Sequence, residues 1–156
     1  MQSTAEAKFD VVEVDVKTLH KHTLALTKKH RDELATEKDI MVLNPDMGKY
    51  LAMEEVDALL CLLCMNRENV VGYSVGFITN HLHYKDLIYY QNDVLFVDDT
   101  VRRMGAGKVL VEKTEALVKE RGGSFITWHA KEKTPLCSLM EAEGYRVQDI
   151  VYSKRL

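Results

Sequence analysis

The sequence predicts an α/β protein in which about four helices pack against a sheet of some six strands. Three observations carry that prediction. Apolar and polar residues alternate from Phe9 to Val16, as on a half-buried strand. Three further apolar runs, Leu59–Met65, Val70–Thr79 and Leu87–Val97, are separated by short polar stretches of turn residues. Last, the run ending at Val97 enters a turn with Gly105 and Gly107, and an amphipathic helix follows at once.

The elements follow in order. After the first strand, Lys17 to Glu37 is helical in character, with Leu19, Leu24, Leu26 and Leu34 as an irregular apolar stripe among Lys and His. Asn44-Pro45-Asp46 stops that helix and supplies a fresh N-cap for a second over Met47–Val56, whose apolar side is Tyr50, Leu51 and Met53. Asn66-Arg67-Glu68-Asn69 is the turn of a hairpin between two strands, and His81–Asp86 is a polar loop. Ala106 to Arg121 forms the main helix, with Val109, Leu110, Leu117 and Val118 on its sheet side and Lys113 blunting the stripe. Gly122-Gly123 ends it at low steric cost. Ser124–Ala130 is a β-rich run. Pro135 opens a short helix ending at Gly144, and Tyr145–Lys154 reads as the last strand.

Composition sets the class. A chain of 156 residues, 46% hydrophobic and 29% charged, with two prolines and no linker, is expected to form a single domain over residues 1–156. A net charge of −3 excludes a binder that depends on a broad basic face for nucleic acid. The opening Met1–Lys8 lacks the apolar core of a signal peptide, and the longest apolar run, Ala58–Met65, is too short to span a bilayer. No membrane partner is expected, and the location is expected to be cytoplasmic. Cys61 and Cys64 have C-x-x-C spacing, but no second Cys or His pair completes a zinc set. Their neighbours Leu59, Leu60, Leu62, Leu63 and Met65 mark a buried strand, on which positions three apart face opposite ways. Buried structural thiols are the expectation.

The glycine turn carries the chemistry. Arg102-x-x-Gly105-x-Gly107 lets the backbone approach a ligand, and the helix behind it aims free N–H groups and the positive end of its dipole at the same place. Such a turn cradles an anion, most often phosphate or pyrophosphate. A P-loop would need Ser or Thr after Gly107-Lys108, where Val109 stands. A dinucleotide fingerprint would need a third glycine where Leu110 stands.

The turn is similar to the Arg/Gln-x-x-Gly-x-Gly/Ala motif with which the GNAT superfamily of N-acetyltransferases holds the pyrophosphate of acetyl-coenzyme A. The strand before it, the helix after it and the later Gly144-Tyr145 also resemble that family. Tyr90–Val97 further resembles acetyltransferase-like proteins encoded by bacteriophages, in which case the location would be the host cytoplasm. The resemblance implies the GNAT fold, a mixed central sheet of six to seven strands, splayed at the acetyl-CoA strand, flanked by about four helices. It implies acetyl-CoA as cosubstrate, its pantetheine arm lying along the backbone of Leu95, Phe96 and Val97. Its phosphates would rest on the segment Arg102, Arg103, Met104, Gly105, Ala106, Gly107 and Lys108. Arg103 reads equally as a solvated surface residue.

Two family positions depart from the pattern. Relatives often carry a Glu base six residues before the position of Val97, where this chain has Gln91. Asp93, two residues on and on the same face if the strand alternates regularly, is one candidate base, its carboxyl activated by burial. It reads equally as an acid bonded to a neighbouring loop or helix start. His129 is a second candidate, since an imidazole titrates near neutrality. The family's tyrosine acid falls at Met140, which has no proton to give. Ser138, Cys137, Tyr89, Tyr90 and Tyr145 are the available substitutes.

The implied acceptor is a primary amine of a small molecule, or a protein lysine or N-terminus. Glu54, Glu55, Asp57 and Asp86 are candidates for attracting such a cation, though a solvated helix face explains the first two as well. No metal is expected: His20-x-His22 is not a same-face helical spacing, and His81-x-His83 has no third ligand nearby. The superfamily's frequent dimers admit a homodimer. Two functions follow, an acetyl-CoA-dependent N-acetyltransferase and a weakly catalytic or inactive acyl-CoA-binding or protein-interaction module on the same fold.

Overall fold

A computed structural model describes residues 8–156; Met1–Ala7, most of the segment expected to lack a signal peptide, lie outside the described residues. The chain runs β1 (Asp10–Glu13), α1 (Val16–Leu34), α2 (Met47–Glu55), β2 (Leu59–Asn66), β3 (Asn69–Asn80), β4 (Ile88–Val97), a 3₁₀ turn (Arg102–Met104), α3 (Ala106–Glu120), β5 (Phe125–Thr127) and α4 (Pro135–Ala142). The strands form one mixed sheet in the order β1-β2-β3-β4-β5, antiparallel except for the parallel pair β4–β5.

Local chemistry explains the element ends. Asp15 accepts the Thr18 N–H at 2.8 Å and caps α1, while Asp46 accepts the Lys49 N–H at 3.1 Å and caps α2. Thr134 caps α4, with Pro135 in its first turn. The β2–β3 hairpin turns through Arg67 and Glu68, Arg67 at φ 56°. Two apolar layers sandwich the sheet. Leu60, Leu62, Tyr90, Leu95 and Val97 face α3 and α4, whereas Leu59, Leu63, Tyr73, Val75 and Phe96 face α1 and α2. Cys61 and Cys64 are buried in opposite layers, as strand spacing requires.

Three expectations need correction. The first strand is shorter than Phe9–Val16, because the Asp15 cap turns the chain into α1 at Val16. Ser124–Ala130 contributes only Phe125–Thr127 to the ladder. No strand forms over Tyr145–Lys154, so the sheet has five strands. A period-two pattern names a strand only where an edge can pair with it, and β5 offers just three residues before it turns away. Val147, Ile150, Val151 and Tyr152 remain exposed, and Arg155 ends the segment on Glu37 and Asp39 of the α1–α2 loop. Among the described residues no helix is long and apolar enough to cross a membrane.

Candidate active site

The sheet forks where β4 and β5 part. Their pairing covers only Tyr89–Gln91 against Phe125–Thr127. At the fork the buried Asn92 side chain replaces a peptide group: its Oδ1 accepts the His129 N–H at 2.5 Å and its Nδ2 donates to the His129 carbonyl at 3.3 Å. Beyond it a chamber of about 670 Å³ lies between the remainder of β4, α1, the start of α2 with its preceding loop, and the glycine turn. The splay expected at this strand is therefore present.

At one end of the chamber stands the turn. Gly105 has φ 96°, and a Cβ there would meet only open space. Ahead of Val109, which makes the first helical bond, to the Gly105 carbonyl, the N–H groups of Ala106, Gly107 and Lys108 are the free first donors of α3. At Gly107 the backbone is ordinary helix and a Cβ would instead stand 3.0 Å from the movable end of the Leu139 side chain of α4. Leu95, Phe96 and Val97 are buried, so only their backbone is on offer. Arg103, Met104 and Lys108 are exposed; Lys108 lies 3.6 Å from Glu143 and 3.8 Å from Glu112.

Arg102 is placed differently from expectation. Its guanidinium forks onto Glu33 of α1 at 2.8 and 2.9 Å and donates to the Val97 carbonyl at 3.1 and 3.3 Å. It also lies over the Phe96 ring at 5.6 Å. These partners hold it against α1 and the end of β4, and its charge is already compensated. Arg103, by contrast, is exposed and has no ion pair among the described residues.

The other end centres on a β-bulge. Val75 pairs with Val94 and Gly76 with Asn92, so Asp93 is the extra residue of β4. The bulge breaks regular alternation and turns Asp93 out of the sheet, where it is exposed to the chamber rather than buried. Asp93 is thus not the buried acid expected, and its carboxylate accepts a short hydrogen bond from the Tyr50 hydroxyl of α2. Burial, and next this bond to Asp93, raise the Tyr50 pKa above the ordinary tyrosine value, keeping the hydroxyl a donor. Nearby, the Tyr73 hydroxyl and His30 Nδ1 lie 3.0 Å apart, and the His30 ring stacks on Phe96 at 4.8 Å. Burial pulls the His30 pKa below its usual value, so the ring is neutral at pH 7.

Several foreseen residues lie elsewhere. Met140 is core, packed against α3. Tyr90 is fully buried beside Ser74, Tyr145 donates to Glu115 at 2.5 Å, Tyr89 packs near His81, and Ser138 and Cys137 do not line the chamber. None of these substitutes for the missing acid reaches the site. Glu54 accepts the Val16 N–H at 2.7 Å, and Glu55, Asp57 and Asp86 are also outside the chamber. His129 stands exposed at the rim. Tyr50, Tyr73, His30 and Glu33 were not foreseen. Tyr50 reads as part of the apolar side of the second helix, and only the bulge and the packing of α1 on β2 and β3 bring the four together.

Comparison with known proteins agrees with this geometry. The family model described as the acetyltransferase (GNAT) family matches residues 23–145. No curated protein matches the chain in sequence. Among solved structures, a ribosomal-protein-alanine N-acetyltransferase from Brucella melitensis biovar Abortus 2308 is similar at 17% identity and TM-score 0.70, over 95% of this chain and 99% of that one. An aminoglycoside acetyltransferase from an uncultured soil metagenomic sample is similar at 17% identity and TM-score 0.74, over 96% and 99%. AAC(6')-Iy, in complex with the bisubstrate analog CoA-S-monomethyl-acetylneamine, is similar at 15% identity and TM-score 0.68, over 96% and 100%.

Proposed function

Because this chain belongs to the acetyltransferase (GNAT) family, we propose that it moves an acetyl group from acetyl-CoA to a primary amine. The observation that carries this reading is the continuity of one chamber from the Asp93 carboxylate to the free N–H groups at the start of α3. The donor end fits a pyrophosphate through the open face of Gly105, the N–H groups of Ala106, Gly107 and Lys108, and the uncompensated Arg103. Beyond the fork the Leu95–Val97 stretch of β4 pairs with β3 on one edge only, and the edge it turns to the fork suits a pantetheine arm. AAC(6')-Iy holding a CoA-derived bisubstrate analog on a similar fold supports this division of the chamber.

At the acceptor end, Asp93 takes the proton of the amine directly or through one water, and Tyr50 fixes the direction of the carboxylate. The freed nitrogen lone pair attacks the thioester carbonyl and the C–N bond forms; the C–S bond then breaks, the nitrogen gives its second proton to solvent, and the thiolate takes a proton from solvent. Holding both reactants in one chamber supplies most of the acceleration. His129 at the rim is the second group able to carry the proton outward. The acceptors named for the similar structures, a ribosomal-protein alanine and aminoglycosides, support an amine as the nucleophile.

A thermal-shift titration with acetyl-CoA, with ATP as control, tests the reading. A ligand binding only the folded state adds about 2.7 kcal/mol at a hundredfold excess over its dissociation constant. A rise with acetyl-CoA and none with ATP is expected. No rise at millimolar acetyl-CoA would overturn it and leave the inactive-module reading.

A further inference from the structure

We propose, resting on the reading just given, that the acceptor is a monoamine carried on an apolar body, and that the chamber selects against polycations. Among the described residues only two carboxylates line the chamber, Asp93 and Glu33. Glu33 is neutralised by the fork of Arg102, which leaves Asp93 alone to pair with an ammonium. The remaining charged lining is basic: Arg31, Arg103, Lys108 and Lys131. A second or third ammonium on the acceptor would be desolvated with no counter-charge.

One wall of the chamber has the opposite character. Met41, Val42, Leu43, Pro45 and Met47 line it, and Met47 stands one helical turn before Tyr50 on α2. Ile40, Met41, Val42 and Leu43 make a run of large apolar residues between 45% and 70% exposed, and Met47 is half-buried. Solvent-facing apolar side chains in such a row mark a surface that something apolar covers. The loop is built rather than slack, since Arg31 donates to the Lys38 carbonyl at 3.1 Å and to the Met41 carbonyl at 3.4 Å. An acceptor whose ammonium pairs with Asp93 has these side chains in the same chamber to receive its apolar body.

Calorimetric titration of the full chain, free and saturated with coenzyme A, with phenethylamine and with spermidine tests this. Phenethylamine is expected to bind more tightly by about tenfold or more, one decade corresponding to 1.4 kcal/mol. Asp93→Asn is expected to abolish that binding. Met41→Ser with Leu43→Ser is expected to weaken it severalfold while leaving the acetyl-CoA thermal shift unchanged. Should the double variant fail to fold, Val42→Ser, at 70% exposed, probes the same wall. Spermidine binding as tightly as phenethylamine, no binding of either, or an unchanged Asp93→Asn would overturn the inference. The acetyl-CoA shift is read separately. Its absence beside an intact amine preference overturns the transferase reading alone, and its presence beside a reversed preference overturns this inference alone.

Discussion

Gly105 and Gly107 occupy neighbouring places in one motif for unrelated reasons. An alanine at Gly105 has room but would have to hold φ 96°, which costs about 1–3 kcal/mol for a residue with a Cβ. An alanine at Gly107 meets the movable end of Leu139 and gains about 1 kcal/mol of helix propensity. Chemical denaturation should therefore show Gly105→Ala clearly destabilised and Gly107→Ala within about 1 kcal/mol of the parent, the reverse of what free space alone suggests. His30 gives a pH dependence. Its folded pKa lies below the ordinary 6.5, so below that pH the unfolded chain binds a proton that the folded one refuses. Stability is full above pH 6.5 and falls as pH drops toward the folded value. Melting temperatures from pH 8 to 5 should show this decline, and His30→Gln should flatten it. At this scale the sequence made the two gaps legible, Gln91 and Met140, because a motif position is either filled or not. The Tyr50–Asp93 pair was illegible, because a bulge is a property of two strands and alternation along one strand gives no sign of it.

Elements whose signals are local were readable. The cap at Asp46, Pro135 in the first turn of α4, the hairpin at Asn66–Asn69 and the helix behind Gly107 all stand where residue type and spacing put them. β2 was readable as well, since Leu59–Met65 is apolar without alternation and is covered on both faces. Its thiols have a checkable property. Burial first, with nearby carboxylates adding to it, pushes Cys61 up to about 12 and Cys64 up to about 11. At pH 8 a thiol reagent should label only the half-buried Cys137 in the folded protein, and all three in denaturant. Rapid labelling of Cys61 or Cys64 without unfolding would contradict this packing.

At the scale of the molecule, the alternating order of strands and helices was enough to predict the fold class, but the count of strands was not. Whether Tyr145–Lys154 joins the sheet depends on how far β5 runs beside β4, a tertiary matter settled around Asn92 and His129. The C-terminal segment keeps its apolar residues in solvent and is tied at its end by the exposed Arg155 pairs with Glu37 and Asp39. Exposed pairs of this kind contribute roughly 0–1 kcal/mol. Deleting residues 147–156 should thus shift the melting temperature by only a few degrees and spare acetyl-CoA binding. A collapse of the fold would show that the segment buries more than its surroundings indicate.

Asn92 sets the spacing of the fork. Where a sheet would have used a rung of backbone, the chain has put a side chain of fixed reach, so the distance between the diverging strands is encoded in one residue's length. A backbone rung is the same for every sequence, whereas this one can be changed by substitution. The width of the opening between β4 and the chain beyond β5 is therefore a heritable trait, adjustable one methylene at a time without redrawing the sheet.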